Sequence, residues 1–177
     1  MKNQFKPFSN NIIFFDTEFS SNDLSIGELL SIGVVKMSGE ELYIEFKYSG
    51  PVSSWVKKYI IPTLKGQKVG KDTAIKKIAK FVGKNKPYLI SYVIPYDSVY
   101  LHKLFGSKDF DKMPFHAWPI DFASVLFSIG LNPDSLKSAN LTKFAKEVGV
   151  DVSKYKLHNA LDDARLLREV YLKVIGN

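Results

Sequence analysis

Two aspartates stand side by side near the C-terminus, in the stretch HNALDDARLL at residues 158–167. On a helical wheel that starts at Ala160, the apolar side chains form one face, and Asp163 falls inside that arc. Asp162 lies with the polar residues. We therefore predict that Asp163 points inward. The alternative is that both aspartates simply favour the positive N-terminal end of a helix.

A second pair of acids ends an apolar stretch, IIFFDTEF at residues 12–19. Residues two apart on a strand share a face, so Asp16 and Glu18 should point the same way. Burying two like charges together is unfavourable unless something compensates them. A divalent cation would do so, because Mg²⁺ and Mn²⁺ prefer carboxylate oxygens. The alternative is that the strand ends here and water solvates both acids.

Two further residues could take part in this chemistry: Asp97 follows a predicted strand, and His158 precedes the last predicted helix. Asp97 comes directly after the strand-like YLISYVIPY, where by itself it is most simply a helix N-cap. His158 precedes the last helix, where a lone histidine is more often a cap or a surface residue. Taken together, four acids and a histidine suggest a phosphodiester-cleaving site with two cations that activate water and stabilise the leaving oxygen. The histidine would accept the proton from that water.

The elements that must position these residues follow from hydrophobic periodicity. Alternation or short apolar runs predict four strands, at 11–15, 29–37, 41–49 and 88–93. The second and third are joined by a turn at Ser38-Gly39-Glu40. Helical spacing predicts helices at 71–82, 97–105, 121–129, 141–150 and 159–175, with Asp121 as a cap. We therefore predict an α/β fold with a mixed sheet flanked by helices.

Composition bounds the class of protein. The 177 residues are 45% hydrophobic, and the chain has no cysteine. We expect a flexible leader at residues 1–10 and a single domain at 11–177. The sequence has no apolar run that could span a membrane and no apolar core of a secretory signal. A soluble cytoplasmic protein is therefore expected.

The positive charge is concentrated in one segment. Residues 57–86 contain ten lysines and a single acid, Asp72, for a net charge of +9, whereas the rest of the chain sums to −2. Such a segment would attract a polyanion such as nucleic acid. The alternative is a solvated helix face that only keeps the protein soluble.

These residues resemble the motifs of the DEDD superfamily of 3′-to-5′ exonucleases, in its histidine-containing DEDDh subgroup. The first motif, D-x-E, is similar to FFDTEF, and the third, H-x-A-x-x-D, to HNALDD, whose acid is Asp163. The second motif resembles SYVIPYDSVYL, with Tyr96-Asp97 as its aromatic and acid. Val93 stands near the place where that motif usually has Asn, so the supporting contact from this Asn is absent.

The resemblance implies a ribonuclease H-like fold that binds two Mg²⁺ or Mn²⁺ ions and releases nucleoside 5′-monophosphates from single-stranded 3′ ends. By position, His158 would be the general base, and the metal ligands would be Asp16, Glu18, Asp97 and Asp163. We assign substrate binding to Thr17, Phe19 and Tyr96. Phe19 would stack on a base, or alternatively pack in the core.

Within this group the chain resembles a small exoribonuclease-like branch, on the stretches YDSVYLHKLFG and WPIDF. The resemblance to this branch implies a preference for RNA over DNA, and it also implies a homodimer. Three alternatives stay open at this point, of which the first two are a DNA proofreading-type exonuclease and a nucleic-acid-binding domain of the same fold without catalysis. A structural domain with incidental acids is a third.

Overall fold

The computed structural model describes residues 7–106, 113–116, 118–136 and 141–175. Six strands form one sheet: β1 (Ile12–Phe19), β2 (Leu29–Lys36), β3 (Glu41–Phe46), β4 (Lys68–Val69), β5 (Tyr88–Ser91) and β6 (Ile120–Asp121). Their order across the sheet is β4-β3-β2-β1-β5-β6. The pairs β1–β2 and β2–β3 are antiparallel, whereas the pairs β1–β5, β5–β6 and β3–β4 are parallel. This is the mixed sheet that the sequence predicts.

Among the described residues, six α-helices flank the sheet: α1 (Ser54–Tyr59), α2 (Lys71–Val82), α3 (Pro95–Phe105), α4 (Phe122–Ser128), α5 (Leu141–Glu147) and α6 (Ala160–Val174). Short 3₁₀ turns lie at Ile61–Thr63, Pro133–Leu136 and Val152–Lys154. Helices α2 and α3 pack on one face of the sheet, and α4, α5 and α6 pack on the other. The sheet is therefore the central layer of three.

Strand β1 lies in the middle of the sheet, which explains its apolar run. Ile13 and Phe15 are buried against α2 and α3, and Ile12 and Phe14 are buried on the α6 side. A central strand covered on both faces needs apolar residues at successive positions. The same alternation continues past Phe15 and decides where the polar residues at the end of β1 point.

Most predicted elements are present, with shifts at their ends. Helix α2 has the predicted bounds, and the predicted hairpin turn contains Gly39 at φ 96°. Helix α3 starts at Pro95 rather than at Asp97, because proline is favoured at the first helical position. Asp121 caps α4 as predicted: its carboxylate accepts from the backbone N–H groups of Ala123 and Ser124.

Other expectations have a different outcome. The six-residue helix α1 was not predicted, and β1 continues through the two acids to Phe19. Residues 1–6 of the expected leader lie outside the described residues. Within the part of the chain that the structure describes, no helix is both long and apolar enough to cross a membrane.

Candidate active site

Three carboxylates from distant parts of the chain meet at the end of β1. Asp16, Glu18 and Asp163 each place a carboxylate oxygen within 4.8 Å of the others. All three side chains are partly exposed, so solvent reaches the cluster. Asp16 and Glu18 point to the α6 side of the sheet, and Asp163 comes from the first turn of α6. The chain therefore brings together acids that are more than 140 residues apart in sequence.

The two aspartates of α6 have different surroundings, as the helical wheel predicts. Asp163 joins the acid cluster, whereas the Asp162 carboxylate accepts hydrogen bonds from the Arg165 side chain at 2.6 Å and from the Lys156 backbone N–H at 3.0 Å. The helix begins here because the Asn159 side chain caps it by accepting from the N–H groups of the next turn.

The electrostatics of the cluster disfavour three charged carboxylates. Removal from water, together with the charges of Asp163 and Asp97, raises the pKa of Glu18 to about 9. Removal from water also raises the pKa of Asp16, helped by its three acidic neighbours. Removal from water also raises the pKa of Asp163 to about 7, although backbone hydrogen bonds from His158 and Asn159 oppose the rise. A bound cation would relieve this repulsion.

Asp97 is the most buried of the four acids, with 6% of its surface exposed. Its Oδ1 accepts from the Thr17 backbone N–H at 3.0 Å and from the Thr17 hydroxyl at 2.5 Å, and its Oδ2 accepts from the Ser91 hydroxyl at 2.6 Å. It lies in the first turn of α3 but does not cap it, so the simple cap interpretation is wrong. Burial raises the pKa of Asp97 to about 6, and these hydrogen bonds limit the rise.

Asp97 lies beside the three-acid cluster rather than within it. Its partner Thr17 stands between Asp16 and Glu18 in β1, so Asp97 lies close to both, and its charge raises the pKa of each. Because a carboxylate oxygen has two lone pairs, Oδ2 keeps one that is not used by Ser91. The donor set therefore suits a hard divalent cation that prefers carboxylate oxygens, and Asp97 can add one ligand to it.

His158 stands directly before α6, in a left-handed conformation with φ 63°. Its ring packs edge-on against Trp55, with centroids 5.1 Å apart, and lies 6.4 Å from the ring of Tyr59. This packing removes water from the imidazole and lowers the pKa of His158. At neutral pH the ring is therefore neutral and can accept a proton.

Trp55 and Tyr59 are residues of the candidate site that the sequence reasoning missed. Both lie on α1 beside His158, and 51% and 42% of their surfaces are exposed. A six-residue helix is too short for a clear hydrophobic period. The available signal was two aromatics four residues apart with lysines between them, a combination typical of surfaces that bind single-stranded nucleic acid.

Two buried residues hold the segment that carries His158. The Thr63 hydroxyl lies 3.1 Å from the carbonyl oxygen of His158 and 2.8 Å from that of Ile60, so it can donate to either. The carboxylate of Glu45 accepts from the backbone N–H groups of Lys65 and Gly66, both at 2.8 Å. These bonds fix the chain after α1 against both β3 and the start of α6.

The residues assigned to substrate binding lie around the α3 side of β1. Phe19 stacks on Tyr100 at a centroid distance of 4.5 Å and on Tyr96 at 5.6 Å. Tyr96 is 40% exposed, so it is the ring of this stack with a substantial free surface. Thr17 is buried and is bonded to Asp97. Direct contact of Phe19, Tyr96 or Thr17 with a substrate stays a prediction.

The lysine-rich segment does not form one surface at the site. Lys57 and Lys58 lie on α1, next to the aromatic pair that contacts His158. Helix α2 then leads away from the site. Near its C-terminal end, the ring of Phe81 lies under the ammonium group of Lys36. Lys36 pairs with Ile13, which lies near the start of β1. The exposed α2 lysines therefore extend towards the end of the sheet opposite the acids.

Val93, which stands near the place where the resembled motif usually has Asn, has φ 56°. The left-handed region is unfavourable for a β-branched residue and is tolerated best by glycine and asparagine. The Val93 backbone N–H donates to Asp121 at 3.1 Å, which ties the β5–α3 connection to the start of α4. Val93 therefore has a backbone conformation that suits asparagine, but it lacks the amide side chain of asparagine.

Comparison with known proteins identifies the fold. No protein-family profile matches the chain, and neither does any curated protein sequence. Among solved structures, the chain is similar to E. coli exonuclease I in complex with a dT13 oligonucleotide, with a TM-score of 0.66 and 13% identity. The match covers 93% of this chain and 41% of the exonuclease I chain.

Two further structures have the same architecture. Exonuclease I from Methylocaldum szegediense matches with a TM-score of 0.62 and 14% identity, over 92% of this chain and 40% of that one. A chain in the structure of the yeast NOT1 MIF4G domain co-crystallized with CAF1 matches with a TM-score of 0.60 and 11% identity, over 92% and 79% of the two chains. This chain thus spans about two fifths of the exonuclease I chains. The predicted α/β, ribonuclease H-like fold is confirmed.

Proposed function

We propose that this protein is a metal-dependent 3′-to-5′ exonuclease that releases nucleoside 5′-monophosphates from single-stranded nucleic acid. The observation that carries the proposal is the convergence of Asp16, Glu18 and Asp163 within 4.8 Å, where the backbone of His158 bonds to the Asp163 carboxylate. The fold shared with exonuclease I supports it. Carboxylates with no shared cation would repel one another, so the convergence of acids from β1 and α6 supports a common metal site.

In this proposal Asp16, Glu18 and Asp163 bind divalent cations, with Asp97 as the fourth ligand. Two Mg²⁺ or Mn²⁺ ions, when bound, would supply activation of a water and stabilisation of the leaving oxygen. The protein's own part is to fix the ligands. Thr17 and Ser91 hold the Asp97 carboxylate, and the backbone at His158 and Asn159 holds that of Asp163. Such supporting contacts orient metal ligands.

His158 would be the general base, because its imidazole is kept neutral by its surroundings. Trp55 and Tyr59 would bind the terminal nucleotide, since they present exposed rings beside that histidine. A flat aromatic face stacks on any base, which suits an enzyme that removes nucleotides without regard to sequence.

The sugar of the substrate is the point on which the observations divide. The branch resemblance favours RNA. The similarity to exonuclease I, one structure of which is an ssDNA complex, favours DNA. We propose RNA as the first substrate and DNA as the second candidate. Recognition of the ribose 2′-OH would separate them.

One experiment tests the activity and the sugar preference together. Two 5′-labelled single strands of the same sequence, one RNA and one DNA, are incubated with the protein and Mn²⁺. We expect a ladder of strands shortened from the 3′ end, with nucleoside 5′-monophosphates as the product, and faster shortening of RNA. Intact strands after long incubation, with the strands bound, would instead support the non-catalytic binding domain.

A further inference from the structure

A cavity of about 400 Å³ lies on the α2–α3 face of the sheet, at the end where β1 ends and on the opposite face from Asp16 and Glu18. It lies between the ends of β2 and β3, the start of α2 and the middle of α3. Its charged lining consists of Lys47, Lys71, Lys103 and Glu28. Lys47 and Lys103 are not part of the lysine-rich segment, so this basic site is formed by folding rather than by local sequence.

Two of the cavity lysines bond to carbonyl oxygens rather than to carboxylates. Lys71 donates to the carbonyl oxygen of Lys103 at 2.9 Å, and Lys103 donates to the carbonyl oxygens of Leu24 and Gly27. A carbonyl orients an ammonium group without neutralising it. The acid of the lining, Glu28, already accepts from the backbone N–H groups of Ser49 and Gly50. Three lysines outnumber Glu28 in the lining and Asp23, whose charge interacts with Lys103 from outside it, so the cavity stays positive.

Two contacts connect the cavity to the candidate active site. Tyr100 lines the cavity and stacks on Phe19, which follows Glu18 in β1. Leu29 also lines the cavity and pairs with Phe19 across the sheet. A strand with its 3′ end at the acids would reach the cavity by crossing the end of β1, from the α6 face to the α3 face, past the Phe19–Tyr100 stack.

We propose that this cavity binds the phosphates of nucleotides upstream of the cleaved bond. The inference rests on the proposed function, because it assumes that a strand's 3′ end lies at the acids. A strand held at a cluster of acids meets repulsion that a nearby basic cavity offsets. Tyr48, which lies under the ammonium group of Lys68 at 4.6 Å, adds an aromatic surface to the lining. A basic groove with aromatic side chains is the usual form of a site for single strands.

The test compares two triple variants with the same change in charge. Lys47→Gln/Lys71→Gln/Lys103→Gln removes the cavity lysines, and Lys76→Gln/Lys77→Gln/Lys80→Gln removes three exposed lysines of α2. Binding of a labelled 12-nucleotide single strand and of a trinucleotide is measured by fluorescence anisotropy in EDTA, at several salt concentrations. Lys47→Glu alone is a second variant that leaves the Lys71 and Lys103 hydrogen bonds in place.

We expect the cavity triple to weaken binding of the 12-mer about tenfold and to reduce the salt slope by about 2, at roughly 0.7 per phosphate contact. The trinucleotide should bind almost as before, and the α2 triple should have less than half of both effects. Lys47→Glu should weaken the 12-mer selectively. Equal effects of the two triples, or equal weakening of both ligands, would overturn the inference.

Because this assay needs no cleavage, its result is independent of the proposed activity. If the protein cleaves strands but the two triples bind alike, only the cavity proposal is wrong. If the cavity triple weakens binding but the wild type never cleaves, the nuclease proposal is wrong and the binding site stands.

Discussion

Gly33 on β2 and Ala160 at the start of α6 are in such close contact that no side chain fits between them. A Cβ atom on Gly33 would lie 2.2 Å from the carbonyl oxygen of Ala160 and 2.4 Å from the Cα of Leu161. Gly33 is also the β2 partner of Asp16. The distance between Asp16 and the first turn of α6, which carries Asp163, therefore depends on this glycine.

We expect Gly33→Ala to lower the free energy of unfolding by about 1–3 kcal/mol, because the start of α6 must move to admit a methyl group. The shift would also move Asp163 away from Asp16. The rate of cleavage should therefore fall by a larger factor than the loss of folded protein alone would cause. Urea denaturation and an activity assay measure the two effects. Gly70→Ala is the control, since a Cβ there would have no neighbour within 4 Å. Equal behaviour of the two variants would contradict the proposed role of the contact.

The neighbouring aspartates of α6 provide a second test. Asp163→Asn should slow cleavage by about a thousandfold or more, because a lost metal ligand removes several kcal/mol of transition-state stabilisation. Asp162→Asn should keep most activity, since it removes a partly exposed ion pair with Arg165 worth at most about 1 kcal/mol. The rates of the two variants on one labelled strand decide the matter. Equal losses would refute the separation of their roles.

His158 predicts the acid limb of the pH profile. Burial lowers the pKa of His158, so the imidazole stays neutral down to a pH below its usual pKa of about 6.5. Cleavage should fall as the pH drops through this lowered pKa and should not depend on His158 protonation at neutral pH and above. His158→Ala should reduce the rate by roughly 10²–10⁴ and remove that part of the limb. An unchanged acid limb in the variant would show that another group accepts the proton.

Val93 predicts a gain in stability. Its left-handed backbone costs a β-branched residue about 1–2 kcal/mol, whereas asparagine and glycine adopt it with little strain. Val93→Asn should therefore raise the free energy of unfolding by about 1 kcal/mol, because the exposed side chain contributes little packing. Thermal or urea denaturation measures this. Val93→Ile is the control and should give no gain; a stabilised isoleucine variant would exclude relief of strain as the cause.

Local patterns were sufficient for much of the fold. Strand β1, the hairpin of β2 and β3, and helices α2 and α6 each bury a regular set of apolar residues, and such regularity is visible in sequence. The same reasoning correctly separated Asp163 from Asp162, because a helix fixes which side chains share a face.

The remaining features depend on contacts between distant segments. Whether Asp97 caps its own helix or bonds to Thr17 is decided by how α3 meets the end of β1, and no local pattern encodes that distance. The packing of Trp55 against His158 likewise joins residues about a hundred positions apart. Gly33 could have been noticed as a glycine within an apolar strand, which often marks a close backbone approach.

The most direct test of the account is a calorimetric titration with Mn²⁺ at pH 7.5. The wild type and Asp162→Asn should bind Mn²⁺, and Asp163→Asn should bind it far more weakly. Binding should release protons, because the pKa of Glu18 is raised to about 9 and a bound ligand must be deprotonated. The measured heat should then depend on the ionisation enthalpy of the buffer. Absence of Mn²⁺ binding by the wild type, or equal binding by Asp163→Asn and Asp162→Asn, would contradict the proposed metal site.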